Sequence, residues 1–165
     1  MTLLLAVLIT LATAVRATAQ PLLASPPQAL LGPTSAETLF DDSVLHDITL
    51  TVSTADWQTL KDNYLSNEYY PCDFEWRGQK VRNVGIRSRG TGSRSGIKPG
   101  LRVDFDRYTS GQKFLGLKSF VLRNNTQDTT NLHERLSMLL FRRMGEVGPR
   151  ETHAKMYVND QYVGL

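Results

Sequence analysis

The sequence predicts an α+β fold, an antiparallel sheet with one main helix packed on it. Apolar and polar residues alternate over residues 48–52 and again in several later segments, as in strands that bury one face. Turn-forming pairs such as Arg77-Gly78 separate neighbouring segments, as they do in hairpins. Residues 128–144 instead carry apolar side chains at helical spacing. Hairpins with one long amphipathic helix favour a sheet that this helix covers.

Seven strands and two helices are predicted in order along the chain. The strands are expected at residues 48–52, 70–76, 81–88, 101–105, 119–123, 155–158 and 162–165. A first helix is predicted after Ser53, because Ser53-Thr-Ala-Asp56 matches a capping box. The main helix is predicted between Asp128 and Met144, with cap oxygens at residues 128–131 and a stop at Gly145. Its apolar stripe, Leu132, Leu136, Leu139 and Leu140, is expected to face the sheet.

The chain of 165 residues is long enough for one domain. Residues 1–19 have the apolar run and the Ala17-Thr18-Ala19 site of a signal peptide, which predicts cleavage after Ala19. An N-terminal anchor or a misassigned start are the alternatives. We therefore expect a secreted, cell-surface or periplasmic protein with no membrane span after signal removal. Residues 20–38 hold four of the seven prolines and are predicted to be a linker, and residues 39–165 form the ordered domain.

The end of the sequence leads to a further expectation. Tyr162-Val-Gly-Leu165 stops within a predicted strand, and an open strand edge is a feature that natural domains usually cover. We therefore expect residues 39–165 to be the N-terminal part of a domain that continues in a longer protein.

Positive charge is concentrated in one part of the chain. The formal net charge is only +3, but residues 77–107 hold nine Lys or Arg and two Asp, a local charge of +7. Such a patch attracts phosphates or acidic surfaces, and the alternative is a solvated basic sheet face. Nucleic acid is not the expected partner, because an export signal argues against it and the aromatic residues nearby form no obvious stacking platform. Cys72, the only cysteine, alternates with apolar residues and is predicted to be a buried, inert thiol.

The candidate binding site is the glycine-rich loop between the strands at 81–88 and 101–105. Arg87 and Arg89 are predicted to share one face of the first strand, and Lys98 stands just before the second. Glycines free the backbone to turn N–H groups toward an anion, and Ser93 adds a hydroxyl donor. The predicted nucleotide-binding residues are Arg87, Arg89, Gly90, Gly92, Ser93, Lys98 and Glu134. The spacing matches neither a Walker loop nor a protein-kinase loop, so a plain turn is the alternative.

Three other patterns have a chemical and a structural interpretation. Glu134, taken to lie mid-helix, could pair with Lys98 as in kinases or be an ordinary exposed glutamate. Asn124-Asn125-Thr126 matches an N-glycosylation acceptor, although such short matches are frequent by chance. Asp128 is expected to cap the helix rather than to contact a cation. The three histidines are scattered and Cys72 stands alone, so no metal site is predicted.

Several segments, taken in order, resemble the CotH kinase family, the spore-coat protein H type of atypical protein kinase. They include Ile48-Thr-Leu-Thr-Val-Ser-Thr-Ala-Asp-Trp57, Val84-Gly-Ile-Arg-Ser-Arg-Gly-Thr-Gly-Ser93, Lys98 with Leu101-Arg-Val-Asp-Phe105, Leu115-Gly-Leu-Lys118, Leu122-Arg-Asn-Asn125, Asp128 with the helix through Gly145, Pro149-Arg150 and Tyr157-Val-Asn-Asp-Gln-Tyr-Val-Gly164. The resemblance covers residues 45–165. Pro99-Gly100 departs from it, because relatives usually carry a basic or polar pair after the lysine.

The resemblance implies a kinase that uses ATP and Mg²⁺, with these residues resembling the N-terminal lobe of a divergent, atypical protein-kinase-like fold. It implies that the catalytic and metal-binding aspartates lie beyond Leu165, so no catalytic residue is assigned here and the fragment alone is expected to be inactive. Our first hypothesis is an exported kinase that phosphorylates Ser or Thr of surface or coat proteins. The alternative is a non-catalytic surface, adhesion or coat module that binds an anionic partner.

Overall fold

A computed structural model of the chain describes residues 35–165. The predicted signal peptide at residues 1–19, and the predicted linker up to residue 34, lie outside the described residues. A single helical turn, α1 at Ala36–Leu39, begins the described part and buries Leu39. No helix among residues 35–165 combines the length and the hydrophobicity that a bilayer crossing requires.

The remaining elements follow the predicted order closely. They are β1 His46–Val52, α2 Thr54–Asp62, β2 Tyr70–Trp76, β3 Gln79–Ser88, β4 Leu101–Asp104, β5 Ser119–Leu122, α3 His133–Arg143, β6 Ala154–Val158 and β7 Gln161–Gly164. Ser53 caps α2, as predicted, by accepting a hydrogen bond from the Asp56 amide. Both residues of the Arg77-Gly78 turn have positive φ, which fits the tight hairpin between β2 and β3.

The seven strands form one curled sheet in the order β5-β4-β3-β2-β1-β6-β7. The expectation of an antiparallel sheet holds for every pair except β1 and β6, which are parallel. The long connection through α3 carries the chain back across the sheet, so β6 enters beside β1 in the same direction. A parallel neighbour requires such a crossover, whereas an antiparallel one needs only a hairpin. The sheet is therefore mixed, within an α+β fold.

The prediction that the main helix packs on the sheet is wrong. No residue of α3 is buried, and Leu132, Leu136 and Leu140 of the predicted stripe are exposed. The shorter α2 instead buries Leu60. Helical periodicity identifies the apolar face of a helix, but it does not specify which surface covers that face.

Aromatic side chains fill the core on the concave side of the sheet. Phe74 lies at the centre, fully buried, with the rings of Phe105, Phe114 and Phe120 all within 5.6 Å of its own ring, centroid to centroid. Trp76 is also fully buried, and its indole N–H donates a hydrogen bond of 3.2 Å to Nδ1 of His46. The core therefore holds β2 rigidly against β3, β4 and β5.

Cys72 lies on β2 within this core, as predicted. Burial raises the pKa of its thiol to about 12, because desolvation disfavours the thiolate. Since the thiolate is the reactive form, we expect the native protein not to react with a disulfide reagent at pH 8. After unfolding in urea, we expect Cys72 to react. The absorbance of the thiol that the reagent releases measures the reaction. Rapid reaction of the folded protein would show that this part of the sheet opens.

Candidate functional site

The concave side of the sheet encloses a cavity of about 480 Å³. Its apolar wall comes from opposite halves of the sheet, with Phe120 and Leu122 on β5, Ile48 on β1 and Met156 on β6. Leu39 and Phe40 close it from the side of α1. A largely apolar cavity of this size suits one small organic ligand.

Five cations stand among the residues that line this cavity. They are Arg89, Lys98, Arg123, Arg135 and Arg150. The Lys98 ammonium group donates a hydrogen bond of 2.9 Å to the carbonyl oxygen of Leu165, and its aliphatic chain lies against Gly164. A Cβ at Gly164 would collide with the Lys98 side chain, so the glycine leaves room for the lysine at this position. An apolar wall beside cationic groups suits a ligand with a flat apolar part and an anionic tail.

The glycine-rich loop is tied to the chain before β2 by Arg94. Its guanidinium donates to the carbonyl oxygens of Gly90, Leu65 and Ser66 and to the side-chain oxygen of Asn67. At the other end of the loop, a Cβ on Gly96 would lie 2.6 Å from the Lys61 carbonyl oxygen, so only glycine fits there without a shift. The loop therefore has a fixed shape rather than that of a free flap.

Asn124 holds the loop from the opposite side. It is buried, and its Nδ2 donates to the carbonyl oxygens of Ser93 at 2.7 Å and Lys98 at 2.8 Å. These two bonds fix the segment of the loop that ends at the cavity lysine. The same amide nitrogen would carry a glycan, so the structure gives Asn124 a structural role that the sequence pattern did not indicate.

A smaller, more polar cavity of about 230 Å³ adjoins the first. Arg89, Arg123 and Glu134 line both cavities, while Gly90 and Ser93 line only the smaller one. Of the predicted binding residues, Arg89, Gly90, Ser93, Lys98 and Glu134 therefore come together around these two cavities.

Arg87 and Gly92 line neither cavity, whereas Arg89 lines both. The prediction that Arg87 and Arg89 share one face is therefore wrong. The Arg87 guanidinium donates to Asn67 and to the Ser88 carbonyl oxygen. The strand β3 ends at Ser88, so the alternation that would place Arg89 beside Arg87 stops one residue too early. Arg89 instead turns toward the cavities.

Within the loop, the Ser95 hydroxyl accepts hydrogen bonds from the amides of Ile97 and Lys98. The expected position of Glu134 is wrong. Glu134 lies in the first turn of α3, not mid-helix, and it pairs with Arg123 at 3.0 Å rather than with Lys98. Arg123 directly follows β5 and lies beside the first turn of α3. The helix dipole also favours a carboxylate in that turn.

Asp128 accepts hydrogen bonds just before α3 and from its first residue, although the N-cap residue is Leu132 and not Asp128 as predicted. The Thr130 hydroxyl donates to its carboxylate, as do the amides of Thr130 and His133. These hydrogen bonds, the one from the Thr130 hydroxyl first, lower the pKa of Asp128 to about 2. Within residues 35–165 no group of three or more His, Cys, Asp or Glu side chains could hold a metal ion.

The chain matches a known protein family over part of its length. Residues 86–165 match the model of the family described as CotH kinase protein. The predicted resemblance to the CotH kinase family is confirmed. The CotH-matching segment begins in β3 and includes the glycine-rich loop, Lys98, Asn124 and α3. Among curated proteins, none matches the chain.

Sequence reasoning missed the residues that hold the CotH-matching segment in place. Asn124 was interpreted as a glycosylation acceptor and as part of a family motif, and the role of Arg94 was not predicted. The partner of Arg94, Asn67, lies more than twenty residues away, and no short motif joins the two. Arg123 directly follows the alternating residues of β5. A cation placed between the end of a strand and the start of a helix was the signal in the sequence that could have predicted its pairing with Glu134.

We expect Asn124→Asp to destabilise the fold by about 1–3 kcal/mol, because the substitution removes both donors and leaves two carbonyl oxygens facing a carboxylate. Urea unfolding of the protein measures this. Asn125→Asp is the matched control, since it makes the same change next door at a side chain with no hydrogen bond in the described residues. Equal stability of the two variants would show that the Asn124 bonds do not hold the loop.

Proposed function

We propose that the chain contributes the nucleotide-binding part of a CotH-like kinase, which transfers phosphate from ATP to Ser or Thr hydroxyl groups of surface or coat proteins outside the cell. The observation that carries this proposal is the cavity with an apolar wall and cationic side chains, built largely by the segment that matches the CotH kinase family. The family match supports the use of ATP and a divalent metal in general terms. The likeness of the curled sheet to a kinase N-terminal lobe is part of the proposal.

The cavity residues fit a nucleotide in shape and charge. Phe120, Leu122 and Met156 offer apolar surface to a purine ring, and about 480 Å³ is ample for a nucleoside. Arg89 and Lys98 would meet the phosphates, since guanidinium and ammonium groups are strong hydrogen-bond partners of phosphate oxygens. The loop amides of Ile97 and Lys98 are already bonded to Ser95, so we assign the main anion contacts to the side-chain cations.

ATP, when bound, supplies the phosphoryl group, and the described residues would bind and orient it. The carbonyl oxygen of Leu165 and the surface of Gly164 hold Lys98 beside the cavity before any ligand arrives. The Arg123–Glu134 pair, which lines both cavities, would limit where the phosphate tail can run. The described residues do not fit a Mg²⁺ site by themselves, so we derive no step through the metal.

Phosphoryl transfer to protein is the direct test. The protein as encoded in its organism should transfer label from γ-labelled ATP to Ser or Thr of surface proteins when Mg²⁺ is present. Phosphoamino-acid analysis of the labelled protein identifies the acceptor. Nucleotide binding without any transfer would contradict the kinase and leave a nucleotide-binding module. The absence of both would end the proposal.

A further inference from the structure

The outer face of the sheet, away from the cavity, carries arginines that face each other. Arg87 on β3 and Arg102 on β4 are direct partners across the antiparallel pair. Side chains at such positions are about 5 Å apart, and like charges there are destabilising. Nε of Arg102 has no hydrogen-bond partner, since Asp104 approaches it only to 3.8 Å. The pair is therefore only partly compensated within the described residues.

A third arginine, Arg107, shares one tyrosine ring with Arg87. The guanidinium of Arg107 lies 4.6 Å from the centre of the Tyr69 ring, and that of Arg87 lies 5.5 Å from it. Gly85 makes the arrangement possible, because a Cβ there would lie 2.6 Å from Cγ of Arg107. We call Arg87, Arg102 and Arg107 the outer arginine cluster.

The cluster keeps an excess of positive charge. Among residues 35–165, Asp104 is the one carboxylate within ion-pair distance of any of its three members. The neighbouring Asp106 is already paired with Lys118 at 2.6 Å. Arg107 is exposed, and the Arg102 side chain is 38% exposed. A ligand with carboxylate groups could therefore reach the cluster and balance it.

We propose that the outer arginine cluster docks an acidic segment of a protein partner. Each planar guanidinium can take a carboxylate through two parallel hydrogen bonds. Two of them on adjacent strands and a third just after β4 suit a short run of Asp or Glu. A nucleic acid is less suitable, because two guanidinium groups already occupy the Tyr69 ring and leave it little surface for a base. Arg87 lines neither cavity, so this surface is separate from the proposed nucleotide site.

Fluorescence anisotropy with a labelled hexaglutamate peptide tests the proposal, with hexaglutamine and an oligothymidylate as comparison probes. The test variant is Arg102→Gln with Arg107→Gln. The control, Lys80→Gln with Arg143→Gln, removes the same charge from exposed positions elsewhere. Since Arg102 is partly buried, the single variant Arg107→Glu at an exposed position is the second test, and circular dichroism verifies that each variant is folded.

We expect wild type to bind hexaglutamate but not hexaglutamine, and the test double variant to lose about tenfold in affinity, the loss of one to two charge-assisted hydrogen bonds. Arg107→Glu should lose at least as much, and the control less than about twofold. Equal losses in both double variants would show a net-charge effect and overturn the proposal. So would equal binding of the two peptides, or tighter binding of oligothymidylate, which would assign the surface to nucleic acid.

Discussion

Phe74→Ala is expected to lower the free energy of unfolding by about 3–5 kcal/mol, enough to unfold much of a marginally stable domain. The reason is geometric. Phe74 is fully buried, and its ring contacts those of Phe105, Phe114 and Phe120 edge to face, so truncation leaves a cavity with three aromatic walls. Urea unfolding followed by tryptophan fluorescence measures it, because Trp76 lies on the same strand.

Phe141→Ala is the matched control for this substitution. Phe141 lies on α3 and is 43% exposed, so the same truncation should change the free energy of unfolding by less than about 1 kcal/mol. A large loss from Phe141→Ala would show that the apolar face of α3 is covered in solution. A small loss from Phe74→Ala would contradict the aromatic core itself.

Lys98→Ala is expected to weaken ATP binding by about ten- to a hundredfold, with little change in the melting temperature. Removing one charged hydrogen-bond partner of a phosphate costs about 1.5–3 kcal/mol of binding free energy. In the described residues the Lys98 ammonium group bonds only the Leu165 carbonyl oxygen, so the fold does not depend on it. Isothermal titration calorimetry with ATP measures the affinity.

Lys113→Ala is the control for Lys98→Ala, because Lys113 is exposed and lines neither cavity. It should leave ATP affinity unchanged. An equal loss in both variants would indicate that ATP senses only the overall charge of the protein. Unchanged affinity in Lys98→Ala would remove the lysine from the proposed site.

Local structure was predicted well from the sequence because it depends on residue patterns within short segments. Strand β2 spans Tyr70–Trp76 as predicted, since its alternation is regular and Arg77-Gly78 ends it. Alternation also identified Cys72 as a core residue. The same signal cannot state which strand lies beside which, and the parallel pairing of β1 with β6 depends on the path of the chain through α3.

The site was predictable where residues act one by one and not where distant residues meet. Arg89, Gly90, Ser93 and Lys98 were predicted from the composition of one loop, and the structure brings them to the cavities. The predicted Glu134–Lys98 pair was wrong because it rested on an analogy with kinases. In the structure Glu134 pairs with Arg123 instead. The Asn124 bonds to the loop cross about thirty residues of sequence, a distance that no local pattern spans.

The central claim is that the cavity behind the glycine-rich loop binds a nucleotide. A crystal structure of the protein with a non-hydrolysable ATP analogue tests it most directly. The account predicts the purine against Phe120 and Leu122, with phosphate oxygens within hydrogen-bond distance of Arg89 and Lys98. An analogue bound elsewhere, with Lys98 still on the Leu165 carbonyl oxygen and the cavity empty of ligand, would contradict it.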